Sequence, residues 1–462
     1  MAKKEYCGVF GIFDHDDAVD LTYLGLYSLQ HRGEESCGIA TFNGRKLRQL
    51  NGMGLVSEVF QKNKLKGLKG KNAIGHVRYS TTGSSIIKNA QPFAIKHNKV
   101  IVSIAHNGNL TNSVKLRRKL ESAGAIFQTT MDSEVVLHLL VRSEKEDFEE
   151  KLAEALTQCE GAYTMLFLTD DKLVGVRDPY GVRPLCLGKK NGSYVLVSET
   201  CALDLIDAEF VREVEPGETV IISKNGIKSK YFFKKKPKSS CIFELIYFAR
   251  PDSHIFDDCV LQVRKRLGRK LAEEHPADAD IVMSIPDSGN YAALGYSEKI
   301  KIPFEFGMIR NHYIGRTFIQ PSQEMRKHGV KIKLNPVKDV LKGKKVIVVE
   351  DSIVRGTTTL TRIKTIRDAG AKEIHMRISC PPIKFPCFYG IDFPSRKELI
   401  ANQLSSTKKI ADFIGVDSLK YISLEGMLEA ANGNSGGFCT ACFNGKYPTK
   451  VNKKAIKSPF EN

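Results

Sequence analysis

An α+β first half followed by an α/β second half with a parallel sheet is the fold class the sequence predicts, and three observations predict it. Short apolar runs of strand length crowd the first half, a strand-then-helix rhythm takes over in the second, and a basic stretch punctuated by Gly and Pro separates them. In order, SCGIATF (36–42), VIVSIA (100–105), AYTMLFL (162–168) and YVLVSE (194–199) read as strands. Helical patterns interrupt them in LTNSVKLRRKLESAG (110–124), with a capping residue at its start and Gly124 at its end, and in MDSEVVLHLLVRSE (131–144). KSKYFFKKKPKSS (228–240) reads as a linker, so the boundary is expected between about 223 and 240. The expected division is a leader at 1–6, a first domain at 7–230 and a second at 231–462. Beyond the linker, IVMSIP (281–286), a turn, AALGYSEKI (292–300), KKVIVVED (344–351), a polar loop and a helix through 366–369 follow parallel α/β grammar.

Composition narrows the function. The 462 residues suffice for two or three domains, and no apolar stretch approaches the roughly 18 to 20 residues that a membrane span needs. Lys3 and Lys4 precede an apolar patch that ends at Asp14, too short for a signal peptide. Eleven cysteines, an odd number spread along the chain, imply a reducing compartment and a cytoplasmic location. A formal charge of +18 suits nucleic acid, an acidic surface or a polyanionic small substrate; the scattered lysines favour a solvated basic surface over a nucleic-acid footprint.

In KKVIVVEDSIVRGTTTLTRI (344–363) a strand delivers Glu350 and Asp351 to its carboxyl end, before a loop containing Gly356 and the hydroxyls of Thr357 to Thr359. Ligands of open α/β sheets bind there, and a loop of small residues entering a helix presents N–H donors to a phosphate. Adjacent acids would repel that phosphate, so ribose hydroxyls or a divalent cation are their expected partners. No GxxxxGK[ST] loop occurs, which excludes a P-loop nucleotide enzyme.

This stretch resembles the diphosphate-sugar signature of type I phosphoribosyltransferases. The resemblance implies that Ser352, Arg355, Gly356, Thr357 and Thr358 hold the 5-phosphate of phosphoribosyl pyrophosphate. Ser288, Glu350 and Asp351 would form the magnesium site, and PDSG (286–289), with Ser288 and Gly289, the pyrophosphate loop. Glu350 stands where the signature usually has an aspartate, a glutamate found in other phosphoribosyltransferases.

At the other end, Cys7 precedes GVFGIF, and LQHRGEESCGIA (29–40), GHVRYSTTG (75–83), AHNGNL (105–110) and TTMDSE (129–134) follow. Amide hydrolysis needs a strong nucleophile and a base, and a cysteine freed at the N-terminus supplies both, its α-amine having a pKa of roughly 7.7 to 8.0. By itself Cys7 would read as a small buried hydrophobe. The five segments in this order resemble the N-terminal-nucleophile glutamine amidotransferases, which implies an αββα sandwich and removal of residues 1–6 as a propeptide. The resemblance makes Cys7 the nucleophile, with Asn107 and Gly108 as oxyanion donors. It assigns Arg78 to the glutamine carboxylate, Asp132 to its ammonium, and Arg32 to ordering the nucleophile region within the substrate site.

Four further cysteines, Cys241, Cys387, Cys439 and Cys442, include a C-x-x-C and suit an iron–sulfur cluster or zinc. Taken together, the two halves resemble the glutamine phosphoribosylpyrophosphate amidotransferase family, one branch of which carries a propeptide and a [4Fe-4S] cluster on four such cysteines. Cys37, Cys159, Cys186, Cys201, Cys259 and Cys380 are expected to be structural. The basic segment 313–336 then matches the family's closing loop, with Tyr313, Arg316, Thr317 and Ile319 at the ribosyl substrate or the channel wall. The family further implies Mg2+, purine nucleotide feedback inhibitors, a homotetramer, and no membrane or nucleic-acid partner. Two rivals are another amidotransferase such as glucosamine-6-phosphate synthase, whose sugar-isomerase halves lack VVEDSIVRGTTT, and a nucleic-acid-binding regulator that senses phosphoribosyl pyrophosphate. That regulator would need neither Cys7 nor the Asn107-Gly108 pair.

Overall fold

The computed structural model describes residues 7–44, 46–79, 84–97, 100–312, 334–393, 395–432 and 437–451. Residues 8–231 build two antiparallel sheets stacked face to face. The first has seven strands, with Gly8–Ile12 between Ser193–Val197 and Asn72–Arg78, and Ser36–Phe42 beyond. The second has six, with Val100–Leu110 paired to Gly161–Leu168. Side-chain alternation explains why runs such as AYTMLFL are apolar throughout. Leu166 and Leu168 meet Val9, Phe42 and Leu196 of the other sheet, whereas Tyr163, Met165 and Phe167 point outward to the helices Ser113–Ser122, Glu134–Arg142 and Phe148–Thr157. Ala18–Ser28 covers the outer face of the seven-stranded sheet, its Gly25 admitting the Phe10 ring. The result is the expected αββα sandwich.

In the second half, Ile281–Ser284, Lys345–Glu350, Glu373–Ile378 and Ser418–Tyr421 form a wholly parallel sheet. The helices Val260–Glu274, Asn290–Ile300, Thr357–Asp368 and Thr407–Ile414 accompany it. No helix among the described residues is long and apolar enough to cross a membrane.

The structure corrects three local readings. The stretch read as a linker begins as an edge strand, Gly226–Tyr231, paired along Glu218–Ser223, in which every residue but Ile227 is exposed, so its composition resembles that of a linker. Asn112 precedes the helix Ser113–Ser122 without capping it, because its side chain bonds Gln158 O and Glu160 N instead. Three helices, Ala18–Ser28, Phe148–Thr157 and Val260–Glu274, were not legible among the strand-like runs.

Candidate active sites

Cys7 immediately precedes Gly8–Ile12, the central strand of the seven-stranded sheet, and is buried, its Sγ donating to the Tyr79 carbonyl at 3.6 Å. Burial pushes its thiol above the ordinary value, while the nearby Arg78 guanidinium pulls the other way and Asp132 and Glu35 add to the rise. A thiol held neutral in this way needs a base at the moment of attack. The same electrostatic neighbourhood joins Cys7, Arg78 and Asp132, three residues far apart in sequence.

Asp132 is buried, accepts from the Leu110 N–H at 2.7 Å and faces His106 Nδ1 at 3.5 Å. Burial alone would raise its pKa; the His106 charge and hydrogen bond, with the Leu110 and Ser133 N–H groups, bring it below the usual value. A carboxylate so supported is ready for an ammonium.

Between His106 and Leu110 lie Asn107 and Gly108. Asn107 is fully buried, and neither its Oδ1 nor its Nδ2 has a hydrogen-bond partner among the described residues. Leaving a buried amide unsatisfied costs about 1–3 kcal/mol, so the site is built for a ligand that bonds there. Gly108 has φ +148°, and a Cβ on it would lie 2.0 Å from the Ala162 carbonyl oxygen, so no other residue fits without moving the paired strand. On the oxyanion role that the amidotransferase resemblance implies for it, Asn107→Ala is expected to lower the kcat for glutamine hydrolysis about 10²- to 10³-fold, with KM little changed. Steady-state glutaminase assays check this.

The second site is a cavity of about 160 Å³ at the carboxyl end of the parallel sheet. Ser288, Glu350, Asp351, Ser352, Arg355, Gly356, Thr357 and Thr358 line one wall, and Phe243, Tyr247, Phe248 and Phe393 another. Gly356 caps the helix Thr357–Asp368 with φ +78°, so the chain turns sharply and Thr357 and Thr358 stand in the first turn. The acids are buried: Glu350 Oε1 accepts from Arg362 at 2.5 Å, and Asp351 Oδ1 from the Ser352 hydroxyl at 2.5 Å. Arg355 is exposed and bonds Glu398 at 3.0 Å. Tyr313, Arg316, Thr317 and Ile319 lie outside the described residues, as do residues 1–6.

Four cysteines assemble at the junction of the halves, none in a disulfide. Cys241 pairs with Cys439 in a short parallel bridge; Lys384 and Phe385 N–H groups donate to the Cys442 carbonyl at 2.9 and 3.0 Å, and Cys387 Sγ accepts from the Tyr389 N–H at 3.3 Å. Cys442 lies within electrostatic range of the other three. Among the described residues no group of three or more His, Cys, Asp or Glu is close enough to hold a single metal ion.

Comparison with known proteins decides the relationship. Residues 76–204 match the model of a glutamine amidotransferase domain. Amidophosphoribosyltransferase 1, chloroplastic, of Arabidopsis thaliana is 50% identical over 456 residues, 98% of this chain and 80% of that one. The Bacillus subtilis amidophosphoribosyltransferase is 47% identical over 98% of this chain and 96% of that one. The chain belongs to the amidophosphoribosyltransferase family. A solved structure of the glutamine phosphoribosylpyrophosphate amidotransferase from Bacillus subtilis, complexed with ADP and GMP, superimposes with a TM-score of 0.92 at 46% identity, covering 97% of this chain and 99% of that one.

Within this amidophosphoribosyltransferase fold, Arg32 links Cys7 to two buried acids that the sequence did not reveal, Glu199 and Glu244. Arg32 is buried and fully engaged: Nε donates to the Cys7 carbonyl at 2.9 Å, and its other nitrogens bond Glu199 and Glu244. These bonds tie the Arg32 side chain to the backbone of Cys7. Glu199 also takes bonds from His31, the Arg250 N–H and Ser253; burial would raise its pKa, and the His31 and Arg32 charges hold it far below the usual value. A signal for Glu244 was present: in CIFELIYF (241–248) one acid sits among apolar residues, a pattern that buries a charge and demands a partner.

Proposed function

We propose that this amidophosphoribosyltransferase hydrolyses glutamine at Cys7 and uses the ammonia at the second site. There phosphoribosyl pyrophosphate is converted to 5-phosphoribosylamine and pyrophosphate, the first committed step of purine synthesis. Residues 1–6 are a propeptide, and their removal frees the Cys7 α-amine. That amine takes the thiol proton as Sγ attacks the glutamine carboxamide, and Asn107 Nδ2 with the Gly108 N–H receive the developing oxyanion. Arg78 fixes the substrate carboxylate as a planar fork and Asp132 its ammonium. The amine returns the proton to the departing ammonia, and water hydrolyses the thioester to glutamate.

At the second site, the loop from Ser352 to Thr358 holds the 5-phosphate, Asp351 and Glu350 the ribose hydroxyls, and Ser288 and Gly289 the pyrophosphate. Ammonia attacks C1 as pyrophosphate leaves. Two carboxylates and a hydroxyl beside a phosphate loop are a donor set that fits Mg2+, a cation that keeps waters and substrate phosphates among its ligands; it would neutralise the leaving pyrophosphate. Four converging thiols, Cys241, Cys387, Cys439 and Cys442, fit a [4Fe-4S] cluster, which would tie three separate chain segments together. The enzyme is cytoplasmic, forms a homotetramer and is inhibited by purine nucleotides, a regulation supported by the ADP and GMP bound in the Bacillus subtilis relative.

The observation that most supports this reading is the meeting of Cys7, Arg78 and Asp132, residues 71 and 54 positions apart along the chain, in one electrostatic neighbourhood with all three side chains buried. Mass spectrometry of anaerobically purified protein tests it. The expected result is a denatured chain beginning at Cys7 and a native mass higher by four irons and four sulfides. A full-length chain without metal would overturn both the propeptide and the cluster.

A further inference from the structure

Glu244 opens a π-helical turn, Glu244–Phe248, whose aromatic residues Tyr247 and Phe248 line the phosphoribosyl cavity. Its own side chain points the other way. Its carboxylate accepts from Arg32 at both oxygens, at 2.8 and 3.0 Å, and from Arg183 at 3.2 Å, with all three side chains fully buried. Arg32 in turn holds the Cys7 carbonyl, and Arg183 donates to the Tyr389 carbonyl. Arg264 clamps the far side of the same turn through the Leu245 and Ala249 carbonyls at 2.9 and 2.8 Å.

A forked carboxylate–guanidinium pair fixes a plane as well as a distance. Taking such charges out of water is seldom favourable for stability by itself, so a sealed pair at this place points to a geometric purpose. We infer that Glu244 is a positioning residue for glutamine hydrolysis: by locking the plane of Arg32 it sets the carbonyl of Cys7, and so the direction in which the nucleophile presents its Sγ and amine. The inference rests on Cys7 being the glutaminase nucleophile. Glutamine binding is assigned to Arg78 and Asp132, so the effect expected at Glu244 is on turnover.

The test is steady-state kinetics of the processed holoenzyme, comparing wild type, Glu244→Gln, Glu244→Asp, Arg32→Gln and the Glu244→Gln/Arg32→Gln double variant. For Glu244→Gln the expected result is a roughly hundredfold fall in the kcat of glutamine hydrolysis, the scale of a misplaced reacting group, with KM for glutamine within about twofold. Synthesis supported by added ammonium chloride stays within about twofold of wild type, showing an intact phosphoribosyl half. Because Glu244 acts through Arg32, the double variant is no slower than Arg32→Gln alone. Losses that multiply, a loss carried by KM, or a wild-type kcat in Glu244→Gln would each overturn the inference. Should Glu244→Gln lose ammonia-supported synthesis as well, Glu244→Asp decides, since it keeps the buried negative charge but not the two-oxygen reach; a wild-type kcat there would overturn it. A wild-type enzyme that hydrolyses no glutamine would instead overturn the glutaminase reading itself.

Discussion

Cys7→Ala is expected to abolish synthesis from glutamine while leaving synthesis from ammonia within about twofold of wild type. Removing the nucleophile of a comparable covalent hydrolase costs about 10⁶ in kcat, and what remains comes from oxyanion donors and binding. Those donors survive here, because Asn107 and Gly108 belong to a different strand and sheet from Cys7. Alanine also fits the space: the Cys7 Sγ makes one weak bond, to the Tyr79 carbonyl, at 3.6 Å. Among the described residues the second cavity takes no side chain from 8–231, so ammonia in solution bypasses the defect. Paired assays, with glutamine and with ammonium chloride at alkaline pH, measure the separation. Equal loss of both activities would refute the assignment of Cys7 to one of two chemical steps.

Asp351→Asn has the opposite signature, with both glutamine- and ammonia-supported synthesis lost. Asp351 is buried at the end of Lys345–Glu350, where Ser352 holds one of its oxygens at 2.5 Å, and asparagine occupies the same volume without the charge. Hydrogen bonds to a charged group are worth about 1.5–3 kcal/mol each, so losing two to ribose hydroxyls removes about 3–6 kcal/mol, or roughly 10² to 10⁴ in kcat/KM. Calorimetric titration with phosphoribosyl pyrophosphate and Mg2+ should show the loss directly, whereas glutamine hydrolysis measured in its absence is unchanged. Retention of wild-type affinity would move the ribose contacts away from this acid.

The parts of the site that were legible in the sequence are those carried by short contiguous motifs. Asn107 and Gly108 follow from AHNGNL, and the phosphate loop from EDSIVRGTTT, because each group of residues needs only one strand or one turn to present it. The strands 36–42 and 162–168 were legible for a similar reason: their apolar runs reflect two buried faces. The partners of Arg183, Glu199 and Glu244 were not legible, since their bonds to one another and to Arg32 join residues 61 to 212 positions apart. An isolated arginine in sequence is more often a surface ion pair, and only tertiary packing makes these buried. The helix Val260–Glu274 was masked by its many basic residues, although Val263, Arg264, Leu267 and Leu271 form a buried face at helical spacing.

The sealed knot of Arg32, Arg183, Glu199 and Glu244 bears on modularity. Two guanidiniums and two carboxylates balance there, but three members come from the amidotransferase half and the fourth from the phosphoribosyl half. A fragment ending before 240 would keep both cations against a single anion. A hydrolase half moved into another chain therefore needs an acid from its new partner half at the place of Glu244.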